Sequence, residues 1–220
     1  MELPSVTIPA TDPPPIYCNR AMLMTSQYKM SFSTGGLFVN ESVHLASLHI
    51  EGENWTTTIE RGLSEGTATL PKTASNRRTL REIANRISHL TPGELNFLVE
   101  GADRPEQEAL LWVATCRAYR FIREFVVEVI QERFLSYRFD LPLDSFDHFF
   151  ESKAEWSEDL ASISRSTRLK LRQVLFRMLR EAGVIDTTDK IRPAYVTPRL
   201  RALIESQNPA DIQVFPGLRP

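Results

Sequence analysis

The sequence predicts a mainly α-helical fold. Apolar residues recur at spacings of three and four over most of the chain after Leu37, which is the period of one helix face. Residues that cap helices, such as Ser, Thr, Asp and Asn, precede several of these runs. The C-terminal third has the order helix, short helix, long helix and hairpin, which is typical of a winged helix-turn-helix. A weaker three-helix set precedes it, so we expect a helical bundle with winged helix-turn-helix-like modules at both ends.

Changes of composition divide the 220 residues into five segments. Residues 1–27 hold five of the fourteen prolines and show no sustained period, so we expect a disordered leader. The next four are an N-terminal helix-turn-helix-like module (28–102), central buried helices (103–141), a C-terminal winged-helix module (142–206) and an irregular tail (207–220). With 42% hydrophobic and 25% charged residues, the chain as a whole is globular.

Four helices are predicted in the N-terminal module. The first covers residues 37–50 and the second residues 55–63. Gly35-Gly36 precedes the first helix, and Asn54 and Ser75 are expected to cap the second and the third. The fourth is expected to begin at Thr91-Pro92-Gly93-Glu94, with a threonine cap followed by a proline.

The central and C-terminal segments have different patterns. Residues 106–135 are apolar on more than one stripe, which predicts one or two largely buried helices. We expect Cys116 to be a buried hydrophobe, and Trp112 and Trp156 to pack in the core or between helices. Towards the C-terminus, a helix is expected to be capped by Asp144 or Ser145. A short helix (158–163) leads to a long amphipathic helix, capped by Ser164 or Ser166 and ended by Gly183. Two short strands around residues 186–190 and a final helix starting at Thr197-Pro198 complete the module.

The charge distribution indicates a surface for a polyanion. The formal net charge is only −2, but residues 160–205 contain ten basic and four acidic residues. The rest of the chain therefore carries 16 basic and 24 acidic residues. Such asymmetry is typical of a protein that presents one basic surface.

The long helix is the candidate DNA-recognition helix. An α-helix fits the major groove of DNA, and flanking cations neutralise phosphates. Opposite its apolar stripe lie Lys170, Gln173 and Arg177, and Arg168 and Arg172 lie on the flanks. Lys190 and Arg192 would supply contacts from the hairpin. Two other interpretations stay open, a solvated basic face and a winged helix that binds protein. Leu169 and Phe176 interrupt the polar face and are expected to contact another part of the protein.

A second basic group lies at the start of the third helix. Helix N-termini attract anions, and the cations there are Lys72, Arg77, Arg78 and Arg81. The alternative is a solvated helix start.

No motif indicates catalysis. A phosphate-binding loop and a nucleophile elbow are absent, and the four histidines lack metal-ligand spacing, so we expect no enzyme, no metal and no cofactor. Acidic residues 144–155 are interpreted as a solvated face rather than a nuclease site. No apolar run reaches the roughly 20 residues of a membrane helix, and we expect a cytoplasmic protein without membrane contact.

Four stretches carry a resemblance to a known family. They are residues 28–37 (YKMSFSTGGL) followed by Glu41-Ser42, residues 119–125 (YRFIREF), residues 153–156 (KAEW) and residues 170–183 (KLRQVLFRMLREAG). In this order they resemble the BrxA family, small accessory proteins of BREX (bacteriophage exclusion) systems. The resemblance implies a mostly helical phage-defence protein that binds double-stranded DNA without catalysis. Residues 1–27 lie outside it.

The sequence thus favours a non-enzymatic, double-stranded DNA-binding component of a BREX system that contacts mainly phosphates. The alternative is an interaction module that docks other BREX proteins, the methyltransferase or the ATPase, without touching DNA. Within the second stretch, Arg120, Arg123 and Glu124 are expected to form internal ion pairs, and the alternative is that Arg120 or Arg123 contacts DNA.

Overall fold

The fold is described from a computed structural model for residues 28–33, 35–67 and 73–220. The predicted leader (1–27) and Lys72 lie outside the described residues. The described part is helical, and its β-structure consists of isolated bridges. The predicted mainly α-helical class is therefore confirmed, whereas the winged helix-turn-helix-like character stays a prediction.

Three helices form the N-terminal part: α1 (Val39–Ser47), α2 (Trp55–Ser64) and α3 (Thr73–Ile87). The first helix begins two residues later than predicted because Phe38 adopts a left-handed conformation, with φ of 55°, immediately before it. It also ends at Ser47, three residues before the predicted end. Asn54 caps α2 as predicted, since its side chain accepts a hydrogen bond from the Thr56 backbone N–H at 2.8 Å. The prediction that Ser75 caps the third helix is wrong, because α3 begins at Thr73 and Ser75 lies within it.

The short helix α4 (Pro92–Asn96) begins with the predicted cap. Thr91 and Glu94 exchange side-chain and backbone hydrogen bonds in a capping box. The chain then continues as a π-helix (Phe97–Gly101), which the sequence pattern does not predict.

The centre of the molecule is α5 (Arg104–Ala118) followed by a nearly continuous helical stretch. That stretch consists of α6 (Arg120–Phe125), a π-helical segment (Val126–Gln131) and α7 (Glu132–Leu135). Trp112 is fully buried and donates its indole N–H to the Val214 carbonyl at 3.0 Å. Cys116 is also buried, and burial raises the pKa of its thiol. Both predictions are confirmed.

The C-terminal module contains α8 (Asp144–Ala154), α9 (Glu158–Ala161) and α10 (Arg165–Glu181). The predicted Asp144 or Ser145 cap is wrong, because Leu143 occupies the cap position of α8 and no side chain caps the helix. Ser164 caps α10, and Gly183, with φ of 67°, follows its end. The predicted strands are reduced to single antiparallel bridges, Ile185 with Ile191 and Asp140 with Lys190. The predicted packing of Trp156 is wrong. Its side chain lies in the α8–α9 connection and is 76% exposed.

The C-terminal residues pack back onto α5. After α11 (Pro198–Gln207), the predicted irregular tail contains a 3₁₀-helix (Pro209–Val214). Within it, the buried carboxylate of Asp211 pairs with Arg117, at 2.8 Å, and with Arg123. Arg117 also pairs with the fully buried Glu94, at 2.7 Å. These long-range ion pairs join α4, α5, α6 and the C-terminus around one continuous core.

Among the described residues, no helix is both long and apolar enough to cross a bilayer.

Candidate nucleic-acid interface

An open groove of about 730 Å³ lies between α3 and α10. The first half of α3 and one face of α10 form its two sides, and the segment before α1 contributes to its lining. Its residues are Ser33, Gly35, Ser75, Arg78, Thr79, Leu143, Lys170, Gln173, Val174, Phe176, Arg177 and Arg180. The structure therefore places Arg78, from the basic group at the start of the third helix, in the same groove as Lys170 and Arg177 of the long helix.

The groove is positively charged. Arg78, Lys170, Arg177 and Arg180 line it, and none of its described lining residues is acidic. Lys170 and Arg177 are exposed and form no ion pair with any described residue. Arg180 is the exception, because its guanidinium lies 2.6 Å from the Asp189 carboxylate. An anion entering the groove thus meets three cations that have no carboxylate partner in the described structure.

Packing of α10 determines which of its side chains face the groove. Leu171, Leu175 and Met178 are fully buried, which directs Lys170 and Arg177 to the surface. Phe176 is buried at the groove's floor, as predicted for a contact within the protein. Leu169 is 39% exposed instead.

On α3 the predicted cations have different surroundings. Arg78 faces the groove and donates to the neutral Ser33 hydroxyl at 3.0 Å. Arg77 instead pairs with Glu60 of α2. Arg81 is exposed and has no ion pair within the described residues. Only Arg78 of this group therefore belongs to the groove as it is described.

The flanking cations of α10 are held by α8. Arg168 lies 2.9 Å from Asp147 and 3.0 Å from Glu151, and its guanidinium lies over the Phe150 ring. Arg172 pairs with the same Asp147 carboxylate. The acidic face of α8 is therefore partly neutralised by α10, and no described group of acidic, His or Cys residues could hold a metal ion.

Lys190 and Arg192 lie on the bridged hairpin, outside the residues that line the groove. Both are exposed and unpaired among the described residues. The turn before them is fixed by the Asp186 carboxylate, which accepts hydrogen bonds from Thr188 and from the Lys190 backbone N–H at 3.0 Å. These hydrogen bonds lower the pKa of Asp186. The hairpin therefore presents its two cations on an ordered turn.

Arg120 and Arg123 have structural partners, as predicted. Arg120 pairs with Glu124 one turn along α6, and Arg123 pairs with Asp211. Neither lines the groove.

Comparison with known proteins places the chain in a family. The BrxA family model matches residues 26–208. The chain belongs to the BrxA family. A relative from Escherichia coli O9:H4 (strain HS), named BREX protein BrxA, is 28% identical over 155 residues, which cover 69% of this chain and 71% of the relative. A second BREX protein BrxA, from Bacillus cereus (strain H3081.97), is 26% identical over 164 residues, covering 74% and 82%.

The BrxA-family fold also occurs in a crystal structure. An uncharacterized protein from Magnetospirillum magneticum matches with a TM-score of 0.71 and 22% identity, over 86% of this chain and 99% of that chain. This likeness establishes a shared fold.

All four stretches that resemble the BrxA family are joined by contacts, and Lys153 of the third stretch pairs with Glu124 of the second at 2.9 Å. Phe32 is fully buried and its ring centroid lies 5.3 Å from that of Tyr119. At the other end of the first stretch, the Leu37 backbone N–H donates to Glu181 of α10 at 2.6 Å. A Cβ added at Gly36 would meet that carboxylate, so a larger residue there would require the Glu181 side chain to move and its hydrogen bond to Leu37 to change.

Sequence reasoning did not place the segment before α1 at the groove. Ser33 and Gly35 line it, and the neighbouring Gly36 carbonyl accepts a hydrogen bond from the buried Arg86 at 2.7 Å. The sequence signal that could have indicated this position was the Gly35-Gly36 pair, because glycines allow the backbone to approach a neighbouring element closely.

Proposed function

We propose that this chain is a non-enzymatic component of a BREX phage-defence system and binds double-stranded DNA. The observation that carries the proposal is the α3–α10 groove, with its cations and its lack of described acidic lining residues. We extend the proposal to a cytoplasmic location and to contact with other BREX proteins.

Backbone phosphates are the ligand that best fits this groove. Arg78 on α3 and Lys170 and Arg177 on α10 face it from two helices, so one phosphate-bearing strand can be contacted from both sides. Cations of this kind bind phosphates without reading sequence. Gln173 is the one uncharged amide among the described lining residues, which supports limited base recognition. Lys190 and Arg192 would add contacts at the hairpin.

The number of cations sets the expected salt dependence. Each phosphate neutralised contributes about −0.9 to the slope of log affinity against log salt. Three groove cations predict a slope of about −2.7, and the two hairpin cations extend it to about −4.5. Affinity should then fall roughly 40- to 500-fold between about 50 and 200 mM salt.

Fluorescence anisotropy with two unrelated duplexes tests this function. Similar affinities with that salt slope would support phosphate binding. Lys170→Glu with Arg177→Glu should abolish the binding at about 200 mM salt while leaving the helical circular dichroism unchanged. The matched control compares Arg177→Glu with Arg219→Glu, which has the same charge change at an exposed residue outside the groove. Equal losses in these two single variants would contradict the groove assignment.

Docking of an acidic protein surface is the second candidate. One observation favours it: five of the ten cations in residues 160–205 already have carboxylate partners, which reduces the positive electrostatic potential that would attract DNA. They are Arg168, Arg172, Arg180, Arg199 and Arg201. No duplex binding at low salt, together with nuclease-resistant co-purification of another BREX protein, would favour docking.

A further inference from the structure

A second cavity, of about 390 Å³, lies in the N-terminal part of the molecule. Its lining comes from the end of α1, the α1–α2 connection, the start of α2, the α3–α4 connection, α4 and the π-helix (Phe97–Gly101). None of its described lining residues belongs to the α3–α10 groove. Ligand pockets typically measure about 300–1,000 Å³, and π-helical turns are frequent at functional sites. The volume and this wall make the cavity a candidate binding site.

The cavity has an apolar lining with an ordered aromatic wall. The indole ring of Trp55 stacks on the imidazole of His49, with ring centroids 3.8 Å apart and an interplanar angle of 2°. The Nδ1 atom of His49 lies 2.8 Å from the buried Thr58 hydroxyl, which fixes the imidazole in place. The described aliphatic lining residues are Ala46, Leu90, Pro92, Leu95 and Val99. A ligand therefore meets a fixed aromatic group and an aliphatic surface.

The charge of the lining is negative. Glu51 and Glu100 line the cavity, are exposed and form no ion pair with a described residue, and no described lining residue is Lys or Arg. Burial lowers the pKa of His49, so its imidazole is uncharged at neutral pH. The neighbouring Glu53 is already neutralised by two hydrogen bonds of 2.9 Å from Arg61. The two lining carboxylates repel a phosphate-bearing ligand and attract a cation.

We propose that this cavity receives an arginine side chain of a protein partner, whose guanidinium binds Glu51 and Glu100 beside the indole of Trp55. A guanidinium is planar, stacks on aromatic faces and donates paired hydrogen bonds to carboxylates. Its aliphatic stem can cover the apolar lining while the charged end stays at the carboxylates. A lysine ammonium is a compact, strongly hydrated charge and would use the aromatic wall less well.

This site and the proposed DNA groove require opposite charges on their ligands. The groove presents Arg78, Lys170 and Arg177 to a polyanion, whereas the cavity presents two carboxylates to a cation. A basic segment of a partner could therefore dock while a duplex occupies the groove. The proposal does not rest on DNA binding, and either can fail alone.

NMR titration of the nuclease-treated full chain with N-acetyl-argininamide tests the proposal. We expect saturable shifts of the Trp55 indole and Val99 amide signals as the probe rises to roughly 20 mM, since one side chain binds in about the millimolar range. N-acetyl-citrullinamide has nearly the same shape without the charge and should bind at least about tenfold more weakly. No saturable shift, or equal affinity for the citrulline or the lysine analogue, would overturn the proposal.

Carboxylate variants provide a second readout that leaves the aromatic wall intact. Glu51→Gln and Glu100→Gln should each weaken binding of the arginine probe at least about fivefold, with unchanged helical circular dichroism and duplex affinity. The matched control is Glu155→Gln, an exposed residue outside the lining, which should bind the probe normally. Equal affinities in the three variants would contradict the site.

A peptide distinguishes a protein partner from a free small cation. Acetyl-Leu-Arg-Leu-amide should bind more tightly than N-acetyl-argininamide, because its leucines can cover further apolar lining. Equal or weaker binding of the peptide would show that the cavity takes a free cation and would overturn the assignment of a protein partner.

Discussion

Along α10, Arg168 and Arg172 lie on one flank and Lys170 and Arg177 on another, and the two pairs differ in what they contact. Arg168 and Arg172 share the Asp147 carboxylate of α8 and are about one-fifth exposed. Lys170 and Arg177 are exposed at the groove and have no ion pair with a described residue. Residues of similar chemistry on one helix therefore have two different environments.

This difference suggests how to separate structural cations from candidate DNA-binding cations. A cation paired with a half-buried carboxylate stabilises the fold and is already partly neutralised before any ligand arrives. A cation without such a partner contributes little to stability and retains its charge for a phosphate. We therefore expect the two classes to respond oppositely to mutation.

The largest stability effect is expected at Asp211. Its carboxylate is 2% exposed and pairs with both Arg117 and Arg123. Asp211→Ala leaves those two cations without this partner, which should lower the free energy of unfolding by about 3–5 kcal/mol. Urea denaturation followed by circular dichroism measures this. Glu51→Ala, at an exposed residue, should change stability by less than about 0.5 kcal/mol. A comparable loss in both variants would contradict the distinction.

The sequence predicted the helices and their caps better than the ion pairs that form between helices. The stripe of α10 and the caps Asn54 and Thr91 were predictable because they depend on residues within one turn of each other. The pairing of Arg168 with Asp147 was not, since 21 positions separate them and no local rule fixes which helices become neighbours. For the same reason the sequence presented the Arg78 group and the Lys170 group as separate surfaces.

Two failures have identifiable physical causes. Trp156 was expected to pack because large aromatic residues are usually buried, but its side chain in the connection between α8 and α9 is 76% exposed. The hairpin residues have strand composition but form only single bridges, so composition overstated their regularity.

A smaller effect is expected at Asp147, whose side chain is 25% exposed. Asp147→Asn should destabilise the protein by about 1–2 kcal/mol, because two charge-assisted interactions with α10 are weakened. Affinity for a duplex should not fall, because the loss of the Asp147 negative charge makes the region around Arg168 and Arg172 more positive. Glu151→Gln is the control at a 65% exposed side chain and should have almost no effect on stability. If Asp147→Asn had a reduced DNA affinity at a temperature where it stays folded, the distinction between structural and DNA-binding cations would be contradicted.

A pH dependence of stability is expected at Glu106, a buried carboxylate paired with Arg199. The hydrogen bonds from Arg199, together with those from Thr197 and the Asp103 backbone, lower its pKa from 4.5 to about 2. A depressed carboxyl pKa stabilises the native state above pH 4.5, and that stabilisation is lost as the pH falls towards about 2. The amide in Glu106→Gln cannot titrate. The difference in free energy of unfolding between this variant and the unsubstituted chain should therefore shrink as the pH falls from 4.5 to about 2. Parallel stability curves of the two proteins would show that the pair is not coupled to folding.

The most direct test of the distinction is a crossed comparison of Arg177→Ala and Arg168→Ala, each measured for unfolding and for duplex affinity against salt. Arg177→Ala should leave stability within about 0.5 kcal/mol and reduce the steepness of the salt slope by about 0.9. Arg168→Ala should lower stability by about 1–2 kcal/mol and leave the salt slope unchanged. Loss of the salt slope in Arg168→Ala, or an unchanged slope in Arg177→Ala, would contradict the account.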